Sequence, residues 1–75
     1  MTLIRNAILR NCRADWLKVA RVISFAHREL KLPNDDASYD LVEQALADLV
    51  DSHELEAQGD ITDWRHSEVR LRIAS

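Results

Sequence analysis

The 75 residues amount to one small domain, and a chain of this length buries only about 60% of its unfolded surface, so stability is expected to be marginal or helped by association. A 47% hydrophobic content with one Gly and one Pro excludes a disordered tail, and no stretch approaches the roughly 20 apolar residues of a membrane span. The net charge of −3 conceals a segregation: residues 1–31 hold seven bases and two acids, residues 32–63 ten acids and no Lys or Arg, and residues 64–75 three arginines and one glutamate.

The chain opens with MTLIRNAILRNC, which has neither an apolar signal core nor a small-residue cleavage site, so no secretory signal is expected. Cys12 is the single cysteine; it excludes an intramolecular disulfide and fits a reducing cytosol, so a cytoplasmic location is expected. Leu3, Ile4, Ala7 and Ile8 recur at helical spacing and predict a first helix over about Thr2 to Cys12. Asp15 then stands where an N-cap belongs, and Trp16, Val19, Ala20, Ile23, Ala26, His27 and Leu30 follow a helical stripe over four turns. That second helix must stop before Pro33, because a proline pushes its predecessor out of the α region.

A third helix is predicted from about Ser38 to Ser52, with Asp36, Ser38 or Asp40 as its cap. Val42, Ala45, Leu46, Leu49 and Val50 make its buried stripe, while Asp40, Glu43, Ala47, Asp48 and Asp51 face mostly the other way. His53 falls at the position after the helix where a left-handed residue is usual, a place where Gly is commonest and His is tolerated. The period then changes to two. Leu55, Ala57 and Gly59 face inward on one run, and Val69, Leu71 and Ile73 on the return. Matching the faces predicts Leu55 opposite Ile73, Ala57 opposite Leu71 and Gly59 opposite Val69, with Glu56 opposite Arg72 on the outside. Ile61–Ser67 makes a broad connecting loop.

Three helices followed by a hairpin predict a mainly α, α+β domain over residues 1–75: a three-helix, winged helix-turn-helix-like fold with a C-terminal β-hairpin wing. The chain also resembles an uncharacterised bacterial domain family through Trp16-x-Lys18-x-Ala20-Arg21-Val22-Ile23, Asp40 and Leu49-Val50. The most specific part of the likeness is Leu55-Glu56-Ala57-x-Gly59-Asp60 followed by Trp64-Arg65-x-Ser67-Glu68-Val69-Arg70-Leu71. The resemblance covers roughly residues 15–71 and departs at His53, where Gly would be commoner. It implies a small winged-helix-like domain, usually the C-terminal partner of another uncharacterised domain, and it carries no known activity or catalytic residues.

Catalytic and metal chemistry find little support. Cys12, His27, His53 and His66 are each more than ten residues apart and on different elements, so no metal site is expected. Ser67 beside His66 would point to the opposite face of a strand, and the single glycine, Gly59, excludes a glycine-rich phosphate loop. Neither an enzyme nor a bound cofactor or small-molecule substrate is expected.

The remaining readings concern partners. A winged helix would place its third helix in the major groove, but SYDLVEQALADLVDS has four acids and no base, so DNA binding is disfavoured. The version that survives is a DNA-binding regulator touching phosphates through Arg65, His66, Arg70 and Arg72 on the wing, with Arg5, Arg10 and Arg13. Protein association fits better. Arg5, Arg10, Arg13 and Arg21 offer a basic face, with Val22 and Phe25, off the main stripe of the second helix, either widening its core contact or forming an apolar spot for a partner, and Asp40, Glu43, Asp48 and Asp51 offer an acidic one. Two copies, or one copy and another protein, could meet through these faces. On the wing, Trp64 is expected to fold back onto the body and Arg65 to answer the local acids.

Overall fold

The structure, a computed structural model, describes residues 2–72. It comprises α1 (Thr2–Arg10), β1 (Leu17–Lys18), α2 (Val19–Glu29), α3 (Asp36–Asp51), β2 (Leu55–Gln58) and β3 (Glu68–Leu71). The three helices pack on one another, and the strands form an antiparallel sheet in the order β1-β3-β2. This is a mixed α+β layout of the winged-helix type, with the C-terminal hairpin as wing. One core joins the layers. Ile4, Ala7 and Ile8 come from α1, Val19, Val22, Ile23 and Ala26 from α2, Val42, Leu46 and Leu49 from α3, and Leu55 and Val69 from the sheet. Leu3, expected in the stripe of α1, instead points outward at 74% exposure.

The second helix begins three residues later than its periodicity suggests, and Asp15 does not cap it. Leu17 pairs with Val69 and Lys18 with Glu68, adding a short third strand to the hairpin. The first N–H groups of a helix have no partner within it. Here Val19 N–H donates to the Ser67 carbonyl at 3.0 Å and Ala20 N–H to the Trp64 carbonyl at 3.2 Å. The wing's backbone therefore takes the part usually played by a capping side chain.

Helices α2 and α3 end alike. Lys31 at φ 53° and His53 at φ 66° are left-handed. Lys31 N–H donates to the Arg28 carbonyl and Leu32 N–H to the His27 carbonyl. His53 N–H and Glu54 N–H reach the Val50 and Leu49 carbonyls in the same pattern, a Schellman close at each helix. Helix α3 starts two residues earlier than expected, capped by Asp35, whose carboxylate accepts from Ser38 N–H at 2.8 Å.

The hairpin keeps the expected faces but slides by two residues. Leu55 pairs with Leu71, Glu56 with Arg70 and Ala57 with Val69. Gly59 explains the slip: at φ +81° it turns the chain out of the strand immediately after Gln58, so it cannot sit opposite Val69. Ile73, expected opposite Leu55, lies outside the described residues. The connecting loop is a chain of local turns. Asp60 accepts from Thr62 N–H at 2.9 Å and Thr62 Oγ1 at 2.7 Å, and Ser67 Oγ donates to the Asp63 carbonyl at 2.7 Å.

Candidate interaction surface

The basic residues of the first two helices divide into paired and unpaired groups. Arg5 bonds Glu54 at 2.6 Å across 49 residues of sequence, and Arg10 closes an ion pair on Glu29. The hydrogen bond from Arg10 holds the Glu29 carboxyl below its ordinary range. Both pairs are solvent-exposed, so screening keeps them weak, and they chiefly consume charge that was a candidate for partners. Arg13 is exposed and enters no ion pair among the described residues. Its carbonyl is used by Leu71 N–H at 2.7 Å, tying the segment before β1 to β3.

Val22 does not belong to the surface. It is fully buried, because α2 lies deep enough to bury both flanks of its stripe. Phe25 stays 37% exposed, with the Arg21 guanidinium 5.0 Å and the Arg28 guanidinium 5.6 Å from its ring centroid. Beside it a cleft of about 290 Å³ is bordered by Arg10, Arg13, Arg21 and Phe25.

On α3, Asp40, Asp48 and Asp51 are exposed, with Leu41 among them at 48% exposure. Glu43 differs from these acids, because its carboxylate accepts the hydrogen bond of Trp64 Nε1. Trp64 is half-buried and packed against the core, so the tryptophan does fold back onto the body. The remaining wing residues part company. His66 Nδ1 donates to Asp63 at 3.0 Å, while Arg70 bonds Glu56 at 2.9 Å and lies 4.4 Å from the Trp16 ring centroid. The expected Glu56–Arg72 pair is thus replaced by Glu56–Arg70, as the shifted register requires. Arg72 borders a cleft of about 530 Å³ with Asp51, His53 and Glu56. Arg65 is exposed and makes no ion pair with Asp60 or Asp63, contrary to expectation, because Asp60 is turned onto Thr62 and Asp63 onto His66. The hydrogen bonds from Thr62 hold the Asp60 carboxyl below its ordinary range.

The periodicity of the chain does not disclose the partnership of His27 and Tyr39. Their rings stack 3.9 Å apart and parallel within 1°, and Tyr39 meets Trp64 at 6.0 Å. His27 is buried, and its Nε2–H donates to the Pro33 carbonyl at 2.9 Å. Tyr39, Val42, Leu46 and Leu49 share one helical stripe, a signal that would have placed Tyr39 on the inner face. Tyr39 borders two clefts. One, of about 350 Å³, is completed by Asp36, Asp40 and Trp64; the other, of about 390 Å³, includes His27, Arg28 and Lys31.

Reactive chemistry is poorly served by these positions. Ser67 is fully buried with its hydroxyl donated to a backbone carbonyl, and burial pushes the Cys12 thiol up to about 11. Among the described residues no three His, Cys, Asp or Glu side chains are grouped to hold a metal ion, and no helix is long and apolar enough to cross a membrane. No family model, curated protein or solved structure matches the chain.

Proposed function

We propose that this is a non-catalytic protein–protein interaction or assembly module of the cytoplasm, with its contact surface on the outer faces of α2 and α3. The observation that carries the reading is Phe25, an exposed aromatic ring held between the Arg21 and Arg28 guanidiniums beside an open cleft. Aromatic and arginine side chains dominate the energetics of protein interfaces, and here they are grouped on a rigid helix. Affinity capture from the native cell tests it, using the wild type and a Phe25→Ala, Arg21→Glu variant. The expected outcome is a discrete protein retained by the wild type and lost from the folded variant. Equal retention by both, or none by either, overturns the reading.

A second reading, a winged-helix DNA-binding regulator, draws on one observation: Arg65 stands exposed on the wing without an ion pair among the described residues. The exposed Asp40, Asp48 and Asp51 of α3 oppose it, since the helix that would enter the groove would meet phosphates with like charge. Fluorescence anisotropy with random duplex at about 0.05 M salt discriminates. Binding that weakens with salt and is lost in Arg65→Ala supports the DNA reading, and no binding removes it.

A further inference from the structure

Resting on the interaction reading, we infer that the partner is a second copy of this chain, joined about a two-fold axis that passes close to Tyr39. Tyr39 is the boundary between two surfaces of opposite sign. On one side stand Arg28 and Lys31, on the other Asp36 and Asp40, all four exposed and none in an ion pair among the described residues. A patch that is basic on one half and acidic on the other complements itself when rotated by half a turn about the line between the halves. Each basic half then lies on the partner's acidic half, and every contact occurs twice, as a two-fold interface requires.

One exposed large apolar side chain borders the patch, on its basic half. Three large hydrophobic side chains are exposed among the described residues: Leu3, Phe25 and Leu41. Phe25 is one turn of α2 from Arg28, on the basic half, with the Arg28 guanidinium 5.6 Å from its ring centroid; Leu41, about 100° around α3 from Asp40, lies off the patch. The centre of the patch is rigid, because Tyr39 is stacked on the buried His27 and Trp64 is bonded to Glu43. A preformed centre lowers the ordering cost of association. The charges at the rim set its salt dependence.

The test is sedimentation equilibrium across protein concentration at about 0.05 M and about 0.5 M NaCl. The wild type is expected to pass from monomer to dimer with rising concentration at low salt and to return toward monomer at high salt. Two variants carry the decision. Arg28→Glu with Lys31→Glu makes both halves acidic, and Asp36→Lys with Asp40→Lys makes both halves basic. The second leaves the Asp35 cap in place, and circular dichroism checks the fold of each. Each variant alone is expected to be monomeric, and an equimolar mixture to form a heterodimer, because both halves are again opposed by the opposite charge. A wild type monomeric at every concentration, a dimer indifferent to both variants, a mixture that stays monomeric or mass growing beyond dimer each overturns the inference. The wider reading fails separately, only when no protein is captured through Phe25 and Arg21.

Discussion

Gly59 is the residue whose identity the backbone constrains most. It sits at φ +81°, and a Cβ built on it would lie 2.8 Å from the His66 carbonyl oxygen, a contact with main chain that no rotamer change relieves. Gly59→Ala therefore meets both a left-handed backbone and a clash across the wing loop, and should destabilise by about 1–3 kcal/mol. Urea denaturation measures it; a midpoint equal to wild type would mean that the loop relaxes freely. His53 is also left-handed, and its place just past an amphipathic stripe makes that legible in the sequence. Lys31 shares the conformation without any such sign, since lysine carries no left-handed preference and the nearby Pro33 marks only where the helix must have ended.

Asp35 shows how one side chain ties α3 to pH. Hydrogen bonds from Ser38 hold its carboxyl below the usual aspartate range. A group whose folded pKa is depressed contributes stability above its unfolded pKa and loses it as pH falls through the folded value. Asp60 and Glu29 are depressed in the same direction by Thr62 and Arg10. Stability should therefore decline on acidification below the ordinary carboxylate range. Asparagine caps helices about as well as aspartate but does not titrate there. Asp35→Asn should keep most of the neutral-pH stability and shrink the acid loss, read from denaturation midpoints at about pH 7 and about pH 3. An acid loss identical to wild type would show that the cap does not contribute to it.

At the level of elements, the hydrophobic period identifies three helices and a hairpin but not how they meet. Trp16, Val19 and Ala20 fit a helical stripe, and two residues are too few to show the alternation of a strand, so β1 becomes visible only when Val69 and Glu68 supply its pairing. Similarly, a period of two sets which face each strand residue occupies, and a slip of two leaves every face unchanged. The departure of Gly59 from the strand decides the register. The wing is held to the body by backbone bonds to the start of α2 and by Trp64 on Glu43. Trp64→Ala should cost on the order of 3 kcal/mol through lost packing. Trp64→Phe keeps an aromatic ring and loses the hydrogen bond, so it should cost nearer ~1 kcal/mol. Equal losses in the two variants, measured by urea denaturation, would assign the staple to the hydrogen bond instead of the ring.

Over the whole molecule, charge segregation is plain in the sequence, but its use is not. Which bases are consumed internally depends on contacts such as Arg5 with Glu54, 49 positions apart, and the self-complementary patch is organised by Tyr39, whose inner-stripe position the acids around it obscure. A domain of this size has a total stability of only about 4–11 kcal/mol. Ile23 is fully buried at the centre of α2, so Ile23→Ala should remove roughly 2–5 kcal/mol and leave a chain close to its unfolding threshold. In that background, association becomes measurable as stability: only folded chains dimerise, so the melting temperature should rise with protein concentration. Adding Arg28→Glu and Lys31→Glu should abolish the concentration dependence and lower the low-concentration melting temperature by a fixed amount, since Arg28 also lies over the Phe25 ring and in the last turn of α2, where a base suits the helix dipole. Thermal melts over a roughly hundredfold concentration range separate the two contributions to stability. A melting temperature that rises equally with and without the Arg28 and Lys31 changes would place any self-association elsewhere on the molecule.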